Sequence, residues 1–135
     1  MALEFGIFDS MDLGRSTPGE ILAGRLRIAA HAEACGFDRY HVTEHHGTTL
    51  STSPSPSVFL AALSQRTTRM RIGTLVYVVP MYEPLRLAEE IATLDQLTGG
   101  RFDLGVGKGV SPFELAYFGV DAADSASLLR TRLAA

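Results

Sequence analysis

Apolar and polar positions along this chain fall into four copies of one two-part unit. Leu3 to Phe8 is an apolar run of strand length, and a polar loop separates it from a helix announced by Thr17, Pro18 and Glu20. Thr17 suits the N-cap, Pro18 the first helical position, and Glu20 can reach back to close a capping box. Leu22, Leu26, Ala29, Ala30 and Ala34 supply the helical face, Gly36 ends it, and Tyr40 and Val42 alternate as the next strand.

The second unit continues through a loop holding His45 and His46 to a helix opened by Ser55 and Pro56 and carried by Phe59, Leu60 and Leu63. Ile72 to Val79 is then a near-continuous apolar run, the pattern of a parallel strand buried on both faces. Pro84 starts a third helix on Leu87, Ile91, Leu94 and Leu97, which Gly99 and Gly100 terminate. Phe102, Leu104 and Val106 read as a fourth strand. Ser111, Pro112 and Glu114 repeat the capping arrangement of Thr17 for a fourth helix running to Gly119.

Strand starts at Leu3, Arg39, Arg71 and Arg101 lie about 30 to 36 residues apart, a spacing that suits parallel strands joined by crossover helices. The predicted class is therefore α/β with parallel (β/α) units. Four units fit a small open sheet, or about half of an eightfold barrel, which takes about 250 residues.

Composition narrows the function classes. The 135 residues are 46% hydrophobic and 20% charged, with a formal charge of −3 and no long run of like charges, which argues against nucleic acid as a partner. No apolar stretch approaches the roughly 18 residues of a membrane span. The N-terminus lacks the basic and apolar regions of a secretory leader. With Cys35 as the single cysteine, these features lead to the expectation of a cytoplasmic protein without a disulfide framework.

Candidate chemistry gathers at the C-terminal ends of the strands, where parallel α/β folds place their sites. His41, Glu44, His45 and His46 form the densest cluster. His41 to His45 spells H-x-x-E-H, a zinc-hydrolase arrangement that needs both histidines on one helical face. A strand ending near Thr43 gives a poor context for it, so zinc stays a minor alternative. Gly105 to Ser111 is a glycine-rich loop between a strand and a capped helix, and such loops let backbone N–H groups and a lysine approach a phosphate. Its spacing matches a dinucleotide fingerprint only loosely, and glycines that merely let the chain turn explain it as well. Cys35 reads as a small buried hydrophobe near a helix end.

Six words in order carry a family resemblance: Cys35-Gly36-Phe37-Asp38, Glu44-His45-His46, Thr74 to Pro80, Pro84 to Glu90, Leu94-Asp95-Gln96-Leu97 and Gly99-Gly100-Arg101-Phe102. Together they resemble the bacterial luciferase-like flavin monooxygenases, from about Leu3 to Asp121. The resemblance implies a TIM-type barrel that takes reduced FMN from a separate flavin reductase, activates O2 on it, and oxygenates a small organic substrate. Some members use a deazaflavin instead.

Carried over by position, His45 matches the family's catalytic histidine, with Glu44 and His46 in support. Leu75 and Val76 match a pair that packs beside the flavin ring, often through a non-prolyl cis peptide, and Tyr77 continues that segment. Lys108 matches an arginine that helps bind the FMN phosphate, and the lysine gives a point charge in place of a fork. Gly107 stands where the light-emitting branch often has cysteine, which directs the expectation to a monooxygenase and away from a luciferase. Residues 1–121 are thus read as the first half of the barrel and 122–135 as a divergent or truncated tail. The resemblance makes this a short form of an oxygenating enzyme and, by family habit, a homodimer. The alternative is a non-catalytic half-barrel that self-assembles or binds a partner.

Overall fold

The structure, a computed structural model, describes residues 3–135. Strand β1 (Gly6–Asp9), helix α1 (Pro18–Ala34), β2 (Arg39–Val42), α2 (Pro56–Ser64) and β3 (Arg71–Thr74) follow in order. The short strand β4 (Tyr77–Val78), a 3-10 turn (Val79–Met81), α3 (Pro84–Thr98), β5 (Phe102–Asp103), β6 (Val106–Gly107), α4 (Pro112–Tyr117) and α5 (Ser125–Leu133) complete the chain. Among the described residues no helix is long and apolar enough to cross a membrane.

Helices α1 to α4 each open on a proline, whose missing N–H costs nothing at a first helical position. The expected Thr17 capping box forms in full: Thr17 Oγ1 accepts from the Glu20 N–H, and Glu20 accepts from the Thr17 N–H at 2.8 Å. At the other end of α3, Gly99 adopts φ +63°, a left-handed conformation that glycine takes without steric cost.

The strands pair in parallel in the order β1-β2-β3-β5, and β4 pairs with β6 separately. Register places Ile7, Tyr40, Ile72 and Phe102 in one row, with Tyr40, Ile72 and Phe102 buried in the main core toward the helices. Phe8, His41 and Gly73 line up on the opposite face. That face is not simply apolar. Asp103 bonds Arg71 at 2.7 Å and His41 at 3.3 Å, with Arg39 also in range at 3.5 Å. Burial works against the Asp103 charge, but the Arg71 guanidinium and His41 outweigh it and hold the carboxyl below its usual range.

The third strand departs from its expected single run. Leu75 N–H still bonds Val42 O at 2.8 Å, a cis peptide links Leu75 to Val76, and Tyr77 N–H then bonds Gly105 O at 2.8 Å. The chain thereby changes partner strands, from β2 to the segment entering β6. The fourth strand breaks at the matching place, between Asp103 and Val106. Gly105 permits the close approach: Thr74 Oγ1 donates to its carbonyl at 2.8 Å, and a methyl at Gly105 would fall on the Thr74 carbonyl oxygen.

Residues 122–135, read as a tail, contain α5. Leu128 packs against a second small core of Val78, Leu115 and Val120, and Arg132 Nη1 donates to the carbonyls of Pro80 at 2.7 Å and Tyr82 at 2.6 Å. At the base of the sheet the Glu33 carboxylate accepts from the N–H groups of Thr68, Arg69 and Met70, fixing the entry to β3.

Two expectations follow from these contacts. Gly105→Ala should lower stability by about 1–3 kcal/mol through overpacking, whereas Gly24→Ala, inside α1 with only the Arg27 side chain nearby, should raise it by roughly 0.5–1 kcal/mol; denaturant midpoints of equal sign would contradict this. Burial opposes the Glu33 charge, but three backbone N–H bonds and Arg69 overcome it and depress its carboxyl pKa. A depressed folded value contributes stability above the ordinary carboxyl range, and that contribution is lost as pH falls through the folded value. Glu33→Gln should therefore cost about 1–3 kcal/mol at neutral pH, with the gap to the parent closing in acid.

Candidate functional site

The site is built where β2 runs out. Thr43 N–H still bonds Asp9 O at 3.1 Å, so the strand pairing persists one residue beyond Val42 and aims the next three side chains. Glu44 goes inward. Its side chain is fully buried, and it accepts from Val78 N–H at 2.6 Å, from His46 Nε2 at 2.9 Å and from the Tyr82 hydroxyl. A buried carboxylate is tolerated when its oxygens are bonded in this way. Burial, then the charge of Glu44, pushes the Tyr82 phenol far above its ordinary range, so it stays protonated as a donor.

His46 is held between Glu44 and Phe118, whose ring centroid lies 4.6 Å away in a T-shaped arrangement. His45 takes the other direction. Its Nδ1 lies 3.2 Å from Glu114 Oε1, and Glu114 Oε2 accepts the His46 backbone N–H at 3.2 Å. Nδ1 as the donor leaves Nε2 without a partner among the described residues, and His45 lines a cleft.

Glu114 is the site residue that sequence reasoning missed. It occupies the third position of α4, where Ser111-x-x-Glu114 suggests a capping box, and Ser111 Oγ does accept from Glu114 N–H. The carboxylate leaves the box and turns to the histidine loop. The one available signal, an acidic residue after a serine, is the same whether the carboxylate caps or leaves.

The cleft measures about 270 Å³. Phe8, Leu75, Val76, Val78 and Met81 give it apolar walls, with Thr43, His45 and Lys108 also on its surface. The structure thus brings together His45, Leu75, Val76, Gly107 and Lys108, joined by the Glu44 and Glu114 carboxylates. Gly107 packs directly on Val76: a Cβ there would stand 2.5 Å from Val76 Cγ2. Lys108 is exposed and makes no ion pair among the described residues.

Two sequence candidates lie elsewhere. Tyr77 does not line the cleft; it turns into the α2–α3 layer, where its hydroxyl meets Ser57 Oγ at 2.7 Å and its ring makes a T-shaped contact with Tyr82. Burial pushes its phenol up to about 12, with Ser57 opposing. The reason is the pleat: resuming a strand directly after the Leu75–Val76 turn sends Tyr77 to the helix side. His41 belongs to the Asp103 cluster, and among the described residues no group of three or more His, Cys, Asp or Glu side chains is arranged to hold a metal ion. The two histidines of H-x-x-E-H turn to different carboxylates, His41 to Asp103 and His45 to Glu114.

Comparison with known proteins gives this arrangement a context. The chain is 45% identical over 119 residues to the uncharacterized protein y4wF of Sinorhizobium fredii, covering 88% of this chain and 35% of that protein. It is 39% identical over 125 residues to 4-hydroxyprotoasukamycin monooxygenase of Streptomyces nodosus subsp. asukaensis, covering 91% and 33%. The oxygenating constituent of 3,6-diketocamphane monooxygenase from Pseudomonas putida, solved with FMN, superposes with a TM-score of 0.92 at 24% identity, over 98% of this chain and 38% of that one. Its likeness establishes the shared fold, a partial barrel of parallel strands. The chain spans about a third of the length of these curated relatives. The family described as luciferase-like monooxygenase matches residues 3–132, and this chain, with its histidine loop and its divided third and fourth strands, belongs to that family.

Proposed function

We propose that this chain carries part of the flavin site of a monooxygenase that uses reduced FMN and O2 to oxygenate a small organic substrate, with the flavin delivered by a reductase. The observation that carries the reading is that His45, Leu75, Val76 and Lys108 line one largely apolar cleft. Family membership supports the oxidoreductase chemistry. The FMN complex on the same fold supports the choice of flavin.

The residues present fit such a group. Leu75 and Val76 offer an apolar surface for a flat ring. Gly107 leaves that surface free of a further side chain, since any Cβ there meets Val76. Lys108 at the mouth supplies a positive charge for a phosphate. When bound, the flavin supplies the activation and transfer of oxygen.

The chain's own groups do the rest. His45, fixed through Nδ1 by Glu114, presents Nε2 to hold or move a proton at the cleft wall. Apolar side chains around it keep water from the reacting centre. Glu44 and His46 act behind the wall, holding the loop. In the whole protein the barrel strands beyond this chain would complete the substrate pocket.

Lys108 gives a direct test in the chain itself. FMN should quench on binding, and Lys108→Ala should weaken FMN by about two- to fivefold, as expected for an exposed ion pair, while leaving riboflavin affinity unchanged. Failure of the parent chain to bind either flavin would overturn the reading. Equal loss of both ligands would remove Lys108 from the phosphate role.

A further inference from the structure

We infer that Arg132 is a positioning residue for this site, holding the segment from Val78 to Tyr82 and, through Tyr82, the Glu44 end of the histidine loop. The segment has two parts in the site. Val78 and Met81 line the cleft, and the Val78 N–H and the Tyr82 hydroxyl are two of the three donors that Glu44 collects. A shift of the segment therefore moves the wall and unpairs a buried carboxylate at once.

The segment does not satisfy itself. Its 3-10 turn ends with Tyr82 N–H bonded to Val79 O at 3.0 Å, and no backbone N–H among the described residues bonds the carbonyl of Pro80 or of Tyr82. Pro80 is buried, where a bare carbonyl is costly. One side chain meets both needs. Arg132 Nη1 lies 2.7 Å from Pro80 O and 2.6 Å from Tyr82 O, in charge-assisted bonds that a guanidinium makes well.

Leu128, one helical turn earlier on α5, packs with Met81 against the cluster of Val78, Leu115 and Val120. Helix α5 thus holds the segment at both ends, Leu128 beside Val78 and Arg132 at Tyr82. The Tyr82 hydroxyl carries the restraint to Glu44, and Glu44 carries it to His46 Nε2 at 2.9 Å. The consequence for flavin rests on the reading above, whereas the hold on the histidine loop does not.

The test reads two quantities in the whole chain: exchange of the His46 Nε2 proton with solvent by NMR, without ligand, and the FMN dissociation constant by fluorescence. Arg132→Met should speed the exchange by about five- to tenfold and weaken FMN by about two- to fivefold. In a Tyr82→Phe background the same substitution should change the exchange by less than about twofold, because the link it acts through is already cut. Glu33→Gln, which loosens the base of the sheet, is the control for lost stability alone. Arg132→Gln, too short to reach both carbonyls, gives the same readings should Arg132→Met not fold. Exchange no faster than in Glu33→Gln, or an equal increase with and without the Tyr82 hydroxyl, overturns the inference. So does an FMN affinity that Arg132→Met leaves unchanged. A parent chain that binds no FMN overturns the flavin reading, and the exchange measurements still decide the role of Arg132.

Discussion

The carboxylate of Glu44 fixes the working end of this structure. It has left water entirely, and it collects donors from three separate places: its own loop through His46, β4 through the Val78 N–H, and the segment after the 3-10 turn through Tyr82. Losing any one donor would leave part of a buried charge unpaired, a cost that strongly disfavours alternative loop positions. Because Val78 lies two residues past the Leu75–Val76 cis peptide, the same carboxylate sets where the chain resumes after its turn. Val78 also belongs to the second core, with Leu115 and Val120, so the constraint passes to α4 and to Glu114 beside Leu115. Glu114 then takes the opposite histidine. Two carboxylates thus hold two adjacent imidazoles by opposite ring nitrogens.

Below that end, the sheet's inner face is tied by charge. Asp103 gathers Arg71, His41 and Arg39, and its lowered pKa keeps it ionised wherever these partners are in place. Phe8 and the Leu75–Val76 pair line the cleft at the C-terminal end of the strands. The chemistry and the scaffold separate along the strands, with ion pairs toward one end and the histidine loop at the C-terminal end where such sites form.

Much of the fold is readable from the sequence because its signals are local. Thr17 with Glu20, the prolines at the helix starts and Gly99 each act within one turn of the residues they cap, and they sit where the pattern places them. The His45, Leu75, Val76, Gly107 and Lys108 cluster could be named from family words, though spacing alone left the glycine loop ambiguous. What escaped depends on contacts distant in sequence. Glu114 looks like a capping residue until a histidine nearly seventy positions away claims its carboxylate. The apolar run from Ile72 to Val79 carries no local mark of the turn that divides it and sends Tyr77 to the helices. Arg132, in a stretch that seemed a tail, earns its place only through carbonyls fifty residues earlier.

The arrangement of the two histidines is the central claim, and their tautomers read it directly. Two-bond proton–nitrogen NMR spectra, taken where both rings are neutral, should show His45 carrying its proton on Nδ1, toward Glu114, and His46 carrying its proton on Nε2, toward Glu44. A His45 proton on Nε2 would mean that Glu114 does not hold the ring and that no free nitrogen faces the cleft, and the account of the site would fail at its centre.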